Sequence, residues 1–216
     1  TAISLGANTL TLSGGGNLVS GGLTLNDPSS KLLLNSITVD KVSTTSESLG
    51  LDIDADSTVT SLTVANITPV SIASGSSLSG GITVSAGSLK LNETGTLASS
   101  VSMSRATFLD ADESMTISGS LTQSGSFSTD QGWTIDVAVG KTLTYTGAAI
   151  GIEGHKLILT SSSSNGGATF NNTNPLLLKN ANSYLRFDAE VTVGSVSVNV
   201  ASNSGRGLKI KESSTI

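Results

Sequence analysis

Apolar residues in this chain arrive in short alternating runs. The clearest stretch is 133–147, where Ile135, Val137 and Val139 take every second position, Gly140-Lys141 signals a turn, and Leu143 and Tyr145 resume the alternation. An extended backbone points successive side chains to opposite faces. The period of two therefore predicts two strands, 134–139 and 142–146. Ile135, Val137, Val139, Leu143 and Tyr145 should face inward, and Thr134, Asp136, Thr142 and Thr144 outward. Looser copies recur along the whole chain, for example at 9–12, 31–34, 49–53, 59–64, 89–91, 157–160, 185–187 and 208–210. The separators are Gly, Ser, Asn and Asp, which favour turns. No stretch carries a helical period with a cap at each end, so helix content should be very low.

Many short strands with frequent turns fit either an antiparallel sandwich or barrel, or a parallel β-solenoid. Three features favour the solenoid. Most runs are shorter than the roughly five or six residues usual in sandwiches. Hairpin dipeptides are scarce, with one Asn-Gly at Asn165-Gly166 and no Asp-Gly. Similar segments also recur: Asp54-Ala55-Asp56-Ser57 resembles Asp110-Ala111-Asp112-Glu113, and 17–25 resembles 77–84. Degenerate copies of one small unit mark a stacked array. The expected fold is all-β: a single-stranded parallel β-solenoid over one domain, 1–216, with irregular loops, and right-handed as parallel crossovers usually are. Coils of roughly 18 to 25 residues at about 4.8 Å each would make roughly 9 to 12 coils and a rod of about 40 to 60 Å. The segments 41–48 and 161–167 are expected to protrude as loops.

Composition agrees with a narrow, ladder-filled interior. Aromatic residues are 3% of the chain while hydrophobic residues are 37%, so the core must be built from aliphatic side chains. Nearly a third of the residues are Ser or Thr, yet the chain is too apolar for a disordered polar tract. A net charge of −5 with 11 scattered Lys and Arg leaves no basic footprint for nucleic acid. Cysteine is absent, so disulfides and thiolate metal sites are excluded. There is no apolar run long enough for a membrane-spanning helix and no signal peptide. Low charge with abundant Thr, Ser and Asn suggests a secreted bacterial protein.

Candidate chemistry is sparse. Asp52, Asp54 and Asp56 alternate along one strand, so the three carboxylates could share a face and hold Ca²⁺, the one cofactor the sequence suggests. Outward carboxylates could also serve a carbohydrate-active enzyme. A solvated acidic face is the simpler reading. The single histidine, His155, has no cysteine to share a metal with and is expected in a surface turn. Trp133 is read as core rather than as a sugar-stacking platform. Thr-x-Thr pairs at 9 and 11, at 58 and 60, and along 142–146 could line an outward ladder of the ice-binding kind, but their uneven spacing is explained by β-branched strand preference. No Gly-x-Ser-x-Gly elbow is present, and the chain is expected not to be an enzyme.

The stretch from Ile135 to Gly147, followed by Gly151 to Thr160 with Gly154 and Leu157-Ile158-Leu159, resembles the repeat of right-handed parallel β-helix passengers of bacterial autotransporters and related large surface adhesins. The resemblance implies a secreted or cell-surface shaft used for adhesion, spacing or fibre building. The chain departs from that family in lacking a C-terminal membrane barrel and a recognisable autochaperone segment. Both ends read as ordinary rungs, without a capping helix or a Pro-blocked polar cap. The chain is therefore expected to be a piece of a longer solenoid or a subunit whose terminal coils pair end to end. The leading expectation is a fibre- or layer-building structural protein outside the cell. An adhesin that grips a host or glycan receptor through side loops comes second, and a carbohydrate-active enzyme third.

Overall fold

The computed structural model describes residues 2–19, 21–124, 131–152, 155–161, 167–179, 182–188, 191–198, 207–210 and 216. Within them the chain is an all-β parallel solenoid without helix. Three inter-coil sheets of 10, 13 and 3 strands wrap one interior. The ten-stranded sheet starts at Thr9–Ser13, Lys31–Asn35 and Gly50–Ile53, ends at Gly207–Ile210, and takes one strand from each coil. Ten rungs at about 4.8 Å make a shaft of roughly 43 Å.

Strand pairing follows the aliphatic positions. Leu32, Leu51, Val70, Leu91, Ala111 and Val137 lie beside one another in successive coils, and each is fully buried or nearly so. A one-residue slip would expose such a row, because neighbouring side chains point to opposite faces. Burying a Leu, Ile or Val side chain contributes about 1.5–3 kcal/mol, so the stacked rows supply the main favourable term. The recurrences legible in the sequence fall at matching places: Leu23 and Ile82 share one row with Val42 and Leu62 between them.

The thirteen-stranded sheet is folded along its length into two faces. In Thr38–Thr44 and Ser57–Val64 the alternation breaks at two consecutive exposed residues, Asp40-Lys41 and Thr60-Ser61. Ser77–Val84 shifts register between Gly80 and Gly81 at the same place. Gly80 has φ +115°, and a Cβ there would lie 1.9 Å from the Val59 carbonyl oxygen, so a glycine is required where the strand turns the corner. Before and after these bent strands the two faces are carried by separate short strands, Asn17–Leu18 with Leu23–Leu25, and Thr96–Leu97 with Ser100–Met103. The three-stranded sheet, Ile150–Ile152, Leu176–Leu178 and Val196–Val198, belongs to the later coils.

Several expectations change. The strands of the 133–147 stretch are Gly132–Val137 and Thr142–Tyr145, and they belong to different sheets, so the turn between them is a corner of the coil. Lys141 N–H donates to the Ala138 carbonyl at 3.0 Å and Gly140 has φ +70°, which ends the alternation and leaves Val139 exposed rather than inward. Thr134, expected outward, is 7% exposed because Phe108 and Ile158 flank it on the same outer row. The segment 41–48 does not protrude as one loop: Lys41 to Thr44 is strand, and Ser48 is buried. Of 161–167, residues 162–166 lie outside the described residues.

Coils are longer in the second half of the chain, and the aromatic residues track that change. The step from Leu51 to its partner Val70 is short; those from Leu109 to Ile135 and from Leu157 to Leu185 are clearly longer. The largest buried side chains, Trp133, Tyr145, Phe170 and Phe187, all sit among the longer coils. Tyr145 and Phe170 stack with centroids 6.1 Å apart. Tyr145 also spans an interruption in pairing, where Leu121–Gln123 ends its branch of the larger sheet. Its hydroxyl accepts from the Leu121 N–H at 3.2 Å and donates to the Ala148 carbonyl at 2.5 Å. Tyr145→Phe keeps the ring but leaves the buried Leu121 N–H without its acceptor, while Ala148 is exposed and its carbonyl turns to water. The variant is expected to lose about 1–3 kcal/mol in urea unfolding, with near-native stacking retained.

Candidate functional site on the charged outer face

Outward positions of the ten-stranded sheet hold most of the chemistry-bearing side chains that the structure groups together. Parallel registration, rather than proximity in sequence, makes these groups. Lys31 Nζ lies 2.5 Å from Asp52 Oδ2 on the next rung. Further along, Lys90 Nζ is 3.5 Å from Asp110 Oδ2 and 3.6 Å from Asp112 Oδ2. Asp110 is flanked in register by Lys90 on one side and by Asp136 on the other. At the adjoining corner Glu113 meets Lys141 at 2.5 Å. Arg186 and Asp188 pair along their own strand.

The electrostatics of this group are uneven. Burial, then the neighbouring Asp112, push the Asp110 carboxyl above the ordinary carboxylate range, with Asp136 adding to the effect, and the pull of Lys90 does not cancel them. Lys90 is raised as well, chiefly by Asp110, against the opposing effect of its own burial. Like charges on adjacent rungs are unfavourable, and Lys90 relieves that repulsion in part.

The candidate Ca²⁺ residues are not brought to one point. Asp52 faces Lys31; Asp54 is exposed at the bend that follows. Asp56 serves the backbone: its Oδ1 accepts from the Ser77 N–H at 2.8 Å and the Ser77 hydroxyl at 2.9 Å, bridging one coil to the next. Among the described residues no three His, Cys, Asp or Glu side chains form a metal-sized cluster. The second acidic group, Asp110, Asp112 and Glu113, begins on a rung three beyond that of Asp52, roughly 14 Å along the axis. A shallow groove of about 200 Å³ opens at the corner beside Asp56, lined by Gly15, Gly16, Ser36, Thr38 and Thr58 among others.

Three further residues take unexpected places. His155 is 1% exposed, not a surface turn residue. It precedes the strand Lys156–Thr160 at a corner, where its carbonyl accepts from the Tyr184 N–H at 3.0 Å and the side chain turns into the interior. Trp133 is core, as its size suggests. Phe108 is instead an aromatic ring on the outer face, 45% exposed two positions before Asp110. Its place in the alternation signals that exposure, since Leu109 beside it takes the inward position. Asn172 is a buried staple with no sequence signal. Its Oδ1 accepts from Gly194 and Ser195 N–H at 3.0 and 3.1 Å, and its Nδ2 donates to Asn174 and Ser195 carbonyls at 2.9 and 2.7 Å.

Comparison with known proteins returns no relative: no family model matches the chain, and neither a curated protein nor a solved structure does.

The sign of the Asp110 effect gives a pH test. A carboxyl whose folded pKa lies above its unfolded value favours the fold while protonated, and that contribution is lost as pH rises through the folded value. Asp110→Asn should therefore melt at or slightly above the native temperature at pH 7, with a stability gain of no more than about 1 kcal/mol for a pair still partly open to solvent. The difference should shrink as pH falls from the raised folded value of Asp110 to the ordinary carboxylate value, and be gone below it. Thermal melts of both chains between pH 3 and 8 measure it.

Proposed function

We propose that this chain is a non-enzymatic structural shaft that works outside the cell or on its surface, building a fibre or layer by head-to-tail stacking of solenoids. The carrying observation is the state of the outermost described rungs. In Thr9–Ser13 the inward residues Leu10 and Leu12 are only partly buried, whereas their neighbours one rung on, Leu32 and Leu34, are completely covered. At the other end Leu208, in register with the fully buried Leu185, is 39% exposed. Leu10 and Leu12 on one outermost described rung and Leu208 on the other thus offer aliphatic side chains beside a strand edge, which one more rung would cover and pair, and in this reading that rung comes from a second copy. Such a contact joins two different surfaces and does not close on itself, so it propagates as a filament. Continuous parallel pairing along the shaft suits that mechanical role.

The resemblance to autotransporter passengers and large surface adhesins supports a secreted, bacterial setting for the same shaft. A receptor- or glycan-binding adhesin is the second reading. The observation in its favour is Phe108, an exposed ring among Lys90, Asp110 and Asp136 on a face where outward positions are otherwise mostly polar.

Sedimentation and electron microscopy at rising concentration test the stacking. The native chain is expected to form uniform filaments one solenoid wide, and Leu10→Lys with Leu12→Lys to remain monomeric and folded. Monomers persisting at high concentration, or filaments indifferent to the two lysines, count against it.

A further inference from the structure

We infer that the second face of the thirteen-stranded sheet binds ice, through a regular array of hydroxyl groups that coil registration assembles from serines and threonines far apart in sequence. The outward position of this face is Ser4 in the first coil. Successive register partners are Thr24, Ser43, Thr63, Thr83, Ser102 and Thr122. Every one of these seven consecutive rungs places a hydroxyl there. The sequence steps between successive members are equal to within one position, while coils elsewhere are much longer, as from Leu157 to Leu185. The row is therefore evenly pitched at about 4.8 Å and extends roughly 29 Å.

Two more features set this face apart. Its hydroxyls lie close enough to act together: Thr24 Oγ1 and Ser43 Oγ are 3.3 Å apart, and in the neighbouring row Ser120 Oγ donates to Ser100 Oγ at 3.1 Å. Charge is also nearly excluded. That neighbouring row continues through Gly81 and Ser61, and Lys41 at its start is the one charged residue in either row. The ten-stranded sheet of the same coils carries Lys31, Asp52 and Lys90 on its outer side. Charges are thus segregated away from a face that could have carried them.

The chemistry of the face selects its partner. Two outward rows about 7 Å apart and seven rungs long cover about 200 Å², a quarter of the roughly 800 Å² per partner of a standard protein interface. Neither row holds an aromatic or Arg anchor of the kind that concentrates protein-binding energy. The same lack of rings disfavours sugar stacking, and one lysine does not attract a phosphate backbone. An uncharged row of hydroxyl-bearing positions at constant backbone pitch suits a partner that is itself a repeating lattice of hydrogen-bonding groups, which is solid water. Threonine is stiff at its first side-chain torsion, so the four threonine hydroxyls of the row, on Thr24, Thr63, Thr83 and Thr122, are restricted before binding. Waters bridging them lose little further freedom when they join a crystal.

Microscopy of single ice crystals in a solution of the chain tests the inference independently of stacking. Faceted crystals and a measurable gap between melting and freezing temperatures are expected. Thr63→Lys with Thr83→Lys should abolish both, and Thr83→Lys alone should reduce the gap if the double variant does not fold. Ser71→Lys, outward on the ten-stranded sheet, should leave the gap intact, with the melting temperatures of all folded variants similar. Round crystals with the native chain, an undiminished gap in the lysine variants, equal loss with Ser71→Lys, or binding to crystalline chitin or cellulose without effect on ice each overturn it.

Discussion

The rest of this structure depends on parallel backbone pairing between successive coils, held in register by aliphatic side chains that meet their equivalents above and below. Leu32, Leu51, Val70 and Leu91 form one such row, and its inward position dictates that Lys31, Lys90, Asp110 and Asp136 lie outside. Once a row is buried, a register slip of one residue is forbidden, since it would exchange a leucine for a lysine or an aspartate in the core. The order of the surface is thus a by-product of the order of the interior.

That dependence explains why isolated polar residues acquire partners they could not have chosen locally. Asp110 stands next to Asp136 because Leu109 stacks on Ile135; burial first and Asp112 second raise the Asp110 carboxyl, and the smaller repulsion from Asp136 is a cost accepted for core registration. Asp56, Tyr145 and Asn172 show the opposite outcome. Each sits where a strand ends or a coil turns, and each supplies hydrogen bonds to backbone groups that ladder pairing does not reach. A solenoid of uneven coils needs such staples, because an unpaired buried amide is costly.

The two long surfaces differ in consequence. One carries alternating charges and an exposed phenylalanine; the other carries hydroxyls at constant pitch. The even pitch arises because short coils of nearly equal length repeat without insertion along that face, whereas the longer later coils interrupt it beyond Thr122. Open aliphatic rows at the outermost described rungs add a third kind of surface, apolar and edge-forming.

Fold class was legible in the sequence, because a period of two in short runs, punctuated by Gly, Asn and Asp, encodes strand and turn locally. So was most of the inward set: Ile135, Val137, Leu143 and Tyr145 are buried as their alternation requires. Local reasoning failed where the chain turns. Val139 and His155 lie at corners, and a corner inverts or ends the alternation that assigns a side to each residue. The acidic triplet Asp52, Asp54 and Asp56 looked like a face because spacing alone cannot show that the strand stops at Ile53. Only the tertiary structure decided which residues become neighbours between coils. The near-constant step that links Lys90 to Asp110 and Thr63 to Thr83 does not hold in the later coils, as the steps from Leu109 to Ile135 and from Leu157 to Leu185 show, so no single period assigns neighbours over the whole chain. The threonine pairs at 9 and 11, at 58 and 60 and along 142–146 take no part in the hydroxyl row; hydrogen bonding between coils, which counts rungs rather than residues, built it from Ser4, Thr24, Ser43, Thr63, Thr83, Ser102 and Thr122.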